Sequence, residues 1–458
     1  MRSIYFVIGA TGSGKSLAAV RVAKTLQLRC GCNNVVILNC DVMQFYAGLP
    51  IVTNKISSEE MDGIPHCFMS FLSPEGNKIR DPTLAFGGCD REAFSEQGCK
   101  SANDAYNIHS FVRDAVSYIE SFLSTHSPAA VVVCGGTCYY VQSLLFDNLL
   151  TVEHTHVSGC LDTTGGCAEH TELNDGNSLW DQLKDIDPDI AARYHPNDIR
   201  RIRRLVDIYK RTNRIPSDVY NSREKPRLRF CPSTCFILWT HIELEKLRPK
   251  LNARIDVMVE KGIIEECRKF AQRHKEDVFT LPLGKAIGFK EIVSSFDMSG
   301  SEVQLKGERE VSESLDLLKV NTNRYARQQC QWIKNRFLGR LRELFATVNL
   351  EENFVAVDAS ASPSDFLRQV EVAVLFFTKR TCDNVAGLFF PLKKDVSIPS
   401  PVRHEWCGVC NVFYTDGRGR ISHLHSKRHR GALRHEALVK EQAEKFGRII
   451  PSKRVKRS

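Results

Sequence analysis

Gly9–Ala10–Thr11–Gly12–Ser13–Gly14–Lys15–Ser16 is the stretch on which the fold turns. It fits the pattern G-x-x-x-x-G-K-[ST], and its flanks are the ones that pattern needs. The apolar run Ile4–Ile8 precedes it and reads as a buried strand; Ser16–Lys24 follows with helical character. Glycines in such a turn let successive backbone N–H groups face inward around phosphate oxygens, and the helix that follows adds the positive end of its dipole. Lys15 supplies a point charge for the same oxygens, and the Ser16 hydroxyl can ligate Mg²⁺. The prediction is a phosphate or diphosphate ligand cradled by Gly9, Ala10, Thr11, Gly12, Ser13, Gly14, Lys15 and Ser16. The pattern does not by itself select ATP.

Working outward, Val35–Leu38 and Val131–Cys134 read as further buried strands, the latter ended by Gly135–Gly136, and Phe354–Val357 as another. Ile108–Leu123 carries helical apolar spacing at Ile108, Phe111, Val112, Ala115, Val116, Ile119 and Phe122. Ile242–Phe270 and Glu310–Leu344 read as long amphipathic helices, and Ser364–Thr378 as a closing one. Strands alternating with helices predict an α/β fold: a P-loop-type parallel sheet with helices on both faces. Ser73–Asn107 and the aperiodic stretch from Thr151 to Asn177 are expected as loop. The expected organisation is a core in two parts, 1–150 and 221–380, around a flexible and helical insertion, 151–220. A linker (381–400), a small module (401–435) and a basic tail (436–458) would follow.

The chain has 458 residues, 42% of them hydrophobic and 26% charged, which is ordinary for a globular protein that folds without help from a membrane. No apolar run of 18 residues occurs and no secretory-type leader precedes the first strand, so a soluble intracellular protein is expected, cytoplasmic with nuclear or mitochondrial location left open. In that setting its 17 cysteines are read as thiols rather than as a disulfide framework. The net charge of +9 matters less than its distribution. Arg193, Arg200, Arg201, Arg203, Arg204, Lys210, Arg211 and Arg214 crowd one segment, and the tail ends Lys453–Arg454–Val455–Lys456–Arg457. Two basic regions together point to a polyanionic partner, although either taken alone reads first as a solvated helix face.

Near the C-terminus, Cys407-x₂-Cys410-x₁₂-His423-x₅-His429 has the spacing of a zinc finger. Two thiolates and two imidazoles suit tetrahedral Zn²⁺, which would supply folding energy that so small a module otherwise lacks. Phe413 and Leu424 are the expected apolar partners in its core. With all four positions filled by protein, the metal would be structural, and the module could contact RNA or protein.

The remaining motifs identify a family. Asn39–Cys40–Asp41–Val42–Met43–Gln44–Phe45–Tyr46 with Thr53–Asn54–Lys55, Gly63–Ile64–Pro65–His66, and Gly135–Gly136–Thr137 with Tyr139–Tyr140 follow the phosphate loop in order. His195–Pro196–Asn197–Asp198 through Arg201 and Arg204, Ala286–Ile287–Gly288–Phe289–Lys290–Glu291, and Thr322–Gln329 with Trp332 complete the series. In this order they resemble the tRNA dimethylallyltransferases (isopentenyltransferases) over roughly residues 4–380, and the finger is similar to the matrin-type finger of eukaryotic members. The chain departs from that pattern at Cys40, Val42, Cys138, Asn323 and Gln328.

The resemblance implies transfer of a dimethylallyl group from its diphosphate to the N6 amine of a tRNA adenosine beside the anticodon. Asp41 would be the general base, with Lys15, Ser16, Thr137 and Arg254 around the diphosphate. Asp41, Val42, Met43, Gln44 and Arg327 would face the RNA, Arg200, Arg201, Arg203 and Arg204 would clamp its backbone, and Phe45 reads as core rather than stacking platform. Implied cofactors are Mg²⁺ at the diphosphate site through Ser16 and structural Zn²⁺ on Cys407, Cys410, His423 and His429; the expected partners are tRNA and dimethylallyl diphosphate, with the chain a monomer. On residues alone Asp41 reads first as a loop or N-cap aspartate, Thr137 equally as a plain turn, and Arg254 also as a helix-surface ion pair. Three alternatives stay open: a relative acting on free adenine nucleotides, a P-loop nucleotide kinase or ATPase, and a non-catalytic RNA-binding protein.

Overall fold

The computed structural model describes residues 2–86, 106–147, 179–221, 227–345, 351–379, 388, 390–392, 403–410, 412–415 and 417–446. Two units emerge, Met1–Gly166 with Lys225–Ser397, and Cys167–Glu224 with Ile398–Ser458.

The first unit is built on six parallel strands: β1 (Arg2–Gly9), β2 (Asn34–Asn39), β3 (His66–Cys67), β4 (Ala129–Cys134), β5 (Cys235–His241) and β6 (Phe354–Asp358). Their order across the sheet is β3-β2-β4-β1-β5-β6, and every pairing is parallel. A parallel sheet covered on both faces needs strands that are apolar throughout, and β4 is buried at all six positions. Alternate residues divide between the two faces, as a period of two dictates. Ile4, Phe6 and Ile8 of β1 join one apolar cluster with Val36, Val133, Ile237 and Phe354; Tyr5 and Val7 join the other with Val35, Val132, Leu238 and Val355. Each such side chain contributes roughly 1.5–3 kcal/mol on burial.

Helix α1 (Lys15–Cys30) packs on the second face through Ala18, Ala19, Val22, Ala23 and Leu26, and ends at Gly31 in the left-handed region. Helix α2 (Ile108–Thr125) packs on the first, capped by the Asn107 side chain. Helix α3 (Cys138–Leu145) leaves β4 directly. β1, β2, β4, β6, α2 and the closing helix thus fall where expected, whereas β3 and β5 are strands beyond that expectation. The two long helices do not run unbroken as expected. The first breaks at Gly262, whose φ of 91° ends one helix (Leu244–Glu260) before the next (Ile263–Arg273). The second runs over Glu308–Trp332, relaxes into a π-turn at Ile333–Phe337 and resumes at Leu338–Phe345. Thr151–Asn177, expected as loop, lies outside the described residues, as does most of 380–400.

In the second unit, helices Leu179–Ile186, Pro188–Ala191 and Ile199–Thr212 meet around Leu183, Ile190, Ala191, Ile202, Leu205 and Val206. Asp187, buried, accepts from Ile190 N at 3.1 Å and Ser217 N at 2.7 Å, tying the turn to the next helix. The same unit holds an antiparallel hairpin, His404–Cys407 with Val412–Thr415, and helices Arg418–Leu424 and Lys427–Phe446. The hairpin packs on the helices: His404 N donates to the Ala192 carbonyl. Trp180 meets Phe413 edge-on at 5.3 Å, and His195 lies 5.6 Å from Phe413 and 6.0 Å from His404. Phe413 thus faces Trp180 and His195 as well as its own hairpin, and Leu424, expected inside the small core, is 41% exposed.

Candidate active site

Four chain segments far apart in sequence end at the carboxyl edge of the sheet, where open α/β folds bind ligands. The phosphate loop leaves β1, Cys40–Asp41 leave β2, Gly135–Gly136–Thr137 leave β4, and Thr240 is near the end of β5. The Ser13 hydroxyl bonds the Ala10 carbonyl at 2.8 Å and the Thr240 hydroxyl at 2.6 Å, fastening the loop to β5. Lys15 Nζ folds back to the Ala10 carbonyl at 2.8 Å. Ser16 is exposed at the helix start, and its hydroxyl has no hydrogen-bond partner among the described residues.

Asp41 is held tightly. Its backbone N–H donates to Asn39 Oδ1 at 3.1 Å, and one carboxylate oxygen accepts from Met43 N at 3.1 Å, an N-cap bond of the short turn that follows. The Gly136 N–H also favours the charged form of this carboxylate. The Thr137 hydroxyl accepts from Val42 N at 3.1 Å, so its own proton stays free to donate. Gly135 sits so close to the β2 exit that an added Cβ would lie 2.1 Å from the Cys40 carbonyl carbon; only glycine fits. Arg254, on the helix Leu244–Glu260, crosses to Thr11 Oγ1 at 3.1 Å.

The electrostatics around Asp41 and the loop suit an anion. Burial pulls the Lys15 ammonium below its usual range against the pull of the Cys134 and Cys138 thiols and Asp41, while Arg254 adds to the lowering. Burial pushes Asp41 up, and Lys15, the Met43 and Gly136 N–H groups and Arg254 oppose that. Burial lowers Arg254, opposed by Asp41. Two cations face one carboxylate, and Arg254 Nε is buried with no hydrogen-bond partner among the described residues. A buried donor left unpaired marks a place for an acceptor from outside the chain.

Of the other residues singled out above, Gln44 donates to the Thr53 and Asn54 carbonyls, both at 3.1 Å. Val42 is 2% exposed, so only its backbone can meet a ligand. Phe45 is buried in a ring cluster with Phe71, Phe111 and Tyr140. Arg327 is exposed, and Arg200, Arg201, Arg203 and Arg204 lie on the exposed face of their helix, opposite Ile202, Leu205 and Val206. Sequence reasoning missed one participant as a single residue: Gln329, buried, accepts from Thr11 N and donates to the Gly136 carbonyl.

The Cys407, Cys410, His423 and His429 ligand atoms all fall within 4.8 Å of one another. Cys407 Sγ is 3.4 Å and Cys410 Sγ 3.7 Å from His429 Nδ1, and Cys410 Sγ is 3.2 Å from His423 Nε2. A tetrahedral zinc with ordinary bond lengths places such S and N atoms about 3.5 Å apart. The group can hold zinc. For Mg²⁺ the fit rests on the exposed Ser16 hydroxyl beside the loop.

Among the described residues, no helix is long and apolar enough to cross a membrane. The fold and the loop at its carboxyl edge define an α/β protein of the P-loop type, with a helical insertion and a C-terminal Cys₂His₂ cluster. The IPP transferase family model matches residues 97–336, and the chain belongs to that family. It is 31% identical over 349 residues to the tRNA dimethylallyltransferase of Schizosaccharomyces pombe, covering 74% of this chain and 69% of that one. The tRNA dimethylallyltransferase of Saccharomyces cerevisiae is 26% identical over 452 residues, covering 96% and 92%, and the human one 26% over 444, covering 93% and 85%. The chain also superimposes on the crystal structure of a eukaryotic dimethylallyltransferase acting on tRNA, with a TM-score of 0.67 at 23% identity, covering 98% of this chain and 100% of that one.

Proposed function

We propose that this chain transfers a dimethylallyl group from dimethylallyl diphosphate to the N6 amine of an adenosine in tRNA, beside the anticodon. Family membership carries the reaction class. The observation that supports the residue roles is that the Asp41 carboxylate lies beside the phosphate loop, with Lys15 and Arg254 both within electrostatic reach of it.

In this reading the diphosphate occupies the free loop N–H groups, with Lys15 and Arg254 taking up charge as the C1–O bond breaks. Mg²⁺, held by Ser16 together with diphosphate oxygens, would neutralise further charge on the leaving group. The adenine amine is a weak nucleophile because its lone pair is delocalised. Asp41 accepts one of its protons as the N6–C1 bond forms, help that is typically worth about 10²–10⁴-fold. Thr137 retains a hydroxyl proton with which to hold the diphosphate or the base. A stacked adenine must first be extruded, at a cost of a few kcal/mol. Arg200, Arg201, Arg203 and Arg204 offset that cost as backbone contacts, while Asp41–Gln44 and Arg327 serve the substrate loop. Zinc on the Cys₂His₂ cluster is structural. A monomer suffices, since Asp41, Lys15, Thr137 and Arg254 come from one chain.

The test is incubation with radiolabelled dimethylallyl diphosphate, bulk tRNA and Mg²⁺, with AMP in parallel and Asp41→Ala as control. The expected result is label in RNA, lost in the variant. Label in AMP alone, or ATP hydrolysis without transfer, would overturn the assignment.

A further inference from the structure

Gln329 sits on the helix Glu308–Trp332 and is 6% exposed. Its carboxamide meets two backbone groups that are remote in sequence and adjacent in space. The oxygen accepts from Thr11 N at 2.7 Å, and the NH₂ donates to the Gly136 carbonyl at 2.7 Å. These partners belong to the two loops between which the reaction would run. Thr11 is part of the phosphate cradle and is gripped a second time by Arg254 through its hydroxyl. Gly136 presents its own N–H to the Asp41 carboxylate. Nothing in this junction is slack: a Cβ added to Gly136 would lie 2.7 Å from Asp41 Oδ2 and 3.5 Å from Gln329 Nε2.

Near neutral pH the carboxamide serves both partners, because it carries a donor and an acceptor and stays uncharged. A carboxylate offers acceptors alone, and methionine offers neither function at nearly the same length. Gln329 also uses the Thr11 N–H, which leaves the N–H groups of Gly12, Gly14, Lys15 and Ser16 without a hydrogen-bond partner among the described residues. The anion therefore has a defined set of donors, and the loop cannot rotate Thr11 into that set.

We infer that Gln329 is a positioning residue that fixes the phosphate loop to the Gly135–Thr137 turn and so sets the gap between leaving group and base. This rests on the transfer reaction proposed above. Gln329 does not touch the reacting atoms; it acts through Gly136 and Thr11.

Two variants test it in the full chain, with labelled dimethylallyl diphosphate and tRNA as substrates and thermal melting as the fold control. Gln329→Met should lower kcat by roughly 10–100-fold, the scale on which displacements of about an ångström act, with a smaller change in KM for the diphosphate. Its pH–rate profile should shift its acid limb upward, because Gly136 N–H no longer steadies the charged form of Asp41. Gln329→Glu should recover relative to wild type as pH falls, since a protonated carboxyl again offers one donor and one acceptor. Wild-type kcat and pH profile in Gln329→Met would overturn the inference. So would loss of activity that follows loss of melting temperature, with no pH signature in either variant. Wild-type protein that transfers no label refutes the reaction instead, so the two failures are distinguishable.

Discussion

Gly136→Ala isolates the role of Asp41 without altering any charged group. Gly136 is not in the left-handed region, so its backbone accepts alanine. The new methyl would meet Asp41 Oδ2 at 2.7 Å, inside any real carbon–oxygen contact. To reach ordinary contact at 3.4 Å the carboxylate or the turn must give way by about 0.7 Å. The carboxylate cannot swing freely, because Met43 N bonds it and the Gly136 backbone crowds it. A displacement of that size in a proton acceptor is expected to cost roughly 10–100-fold in kcat, with overpacking destabilising the fold by about 1–3 kcal/mol. Single-turnover transfer with labelled dimethylallyl diphosphate measures the chemical step, and a melting curve measures the second effect. Gly135→Ala provides contrast: there the clash is with the Cys40 backbone, so the fold itself should fail. A Gly136→Ala protein that turns over within about twofold of wild type would refute the placement of the base.

Three further outcomes are expected. Burial raises Asp41, so as pH falls its carboxylate is lost earlier than for an ordinary aspartate; the acid limb of kcat/KM should lie above that of an ordinary aspartate, read from a pH–rate profile. Arg200→Ala with Arg203→Ala should raise KM for tRNA and leave KM for the diphosphate unchanged; the slope of log K against log salt should fall by about 0.7–0.9 for each phosphate no longer neutralised. Chelation of zinc, or Cys407→Ser, should melt the finger helices, and because His404 and Phe413 pack on Ala192, Trp180 and His195 it should also change the tryptophan fluorescence of the insertion.

How much of this was legible depended on the kind of information each residue carries. The phosphate loop announces itself because glycine spacing, lysine and flanking apolar runs are local. The finger does so because its ligand spacing is local as well. Asp41 carries no local sign of its surroundings; these are set by Lys15, Gly136 and Arg254, and only resemblance pointed to the residue. Gln329 had no signal of its own, because its partners are backbone groups 318 and 193 positions away, and backbone leaves no trace in residue identity. The break at Lys261–Gly262 was readable, a glycine at a left-handed stop, and apolar periodicity on both sides masked it. The π-turn at Ile333–Phe337 has no compositional mark. Phe413 reads from sequence as filling its own hairpin, since nothing in the finger names Trp180 as a neighbour.

The interlock of hairpin and insertion bears on how the molecule is made. Its two halves leave the ribosome about two hundred residues apart, so helices 179–212 must wait, with Trp180 and His195 uncovered, until His404–Thr415 has been synthesised. A premature stop after Asp358 and before His404 would release a chain whose six strands are complete but whose second unit has lost the surface it closes against. Such a product should be recognised by chaperones and proteases through that exposed aromatic patch, long before any shortage of modified RNA is felt.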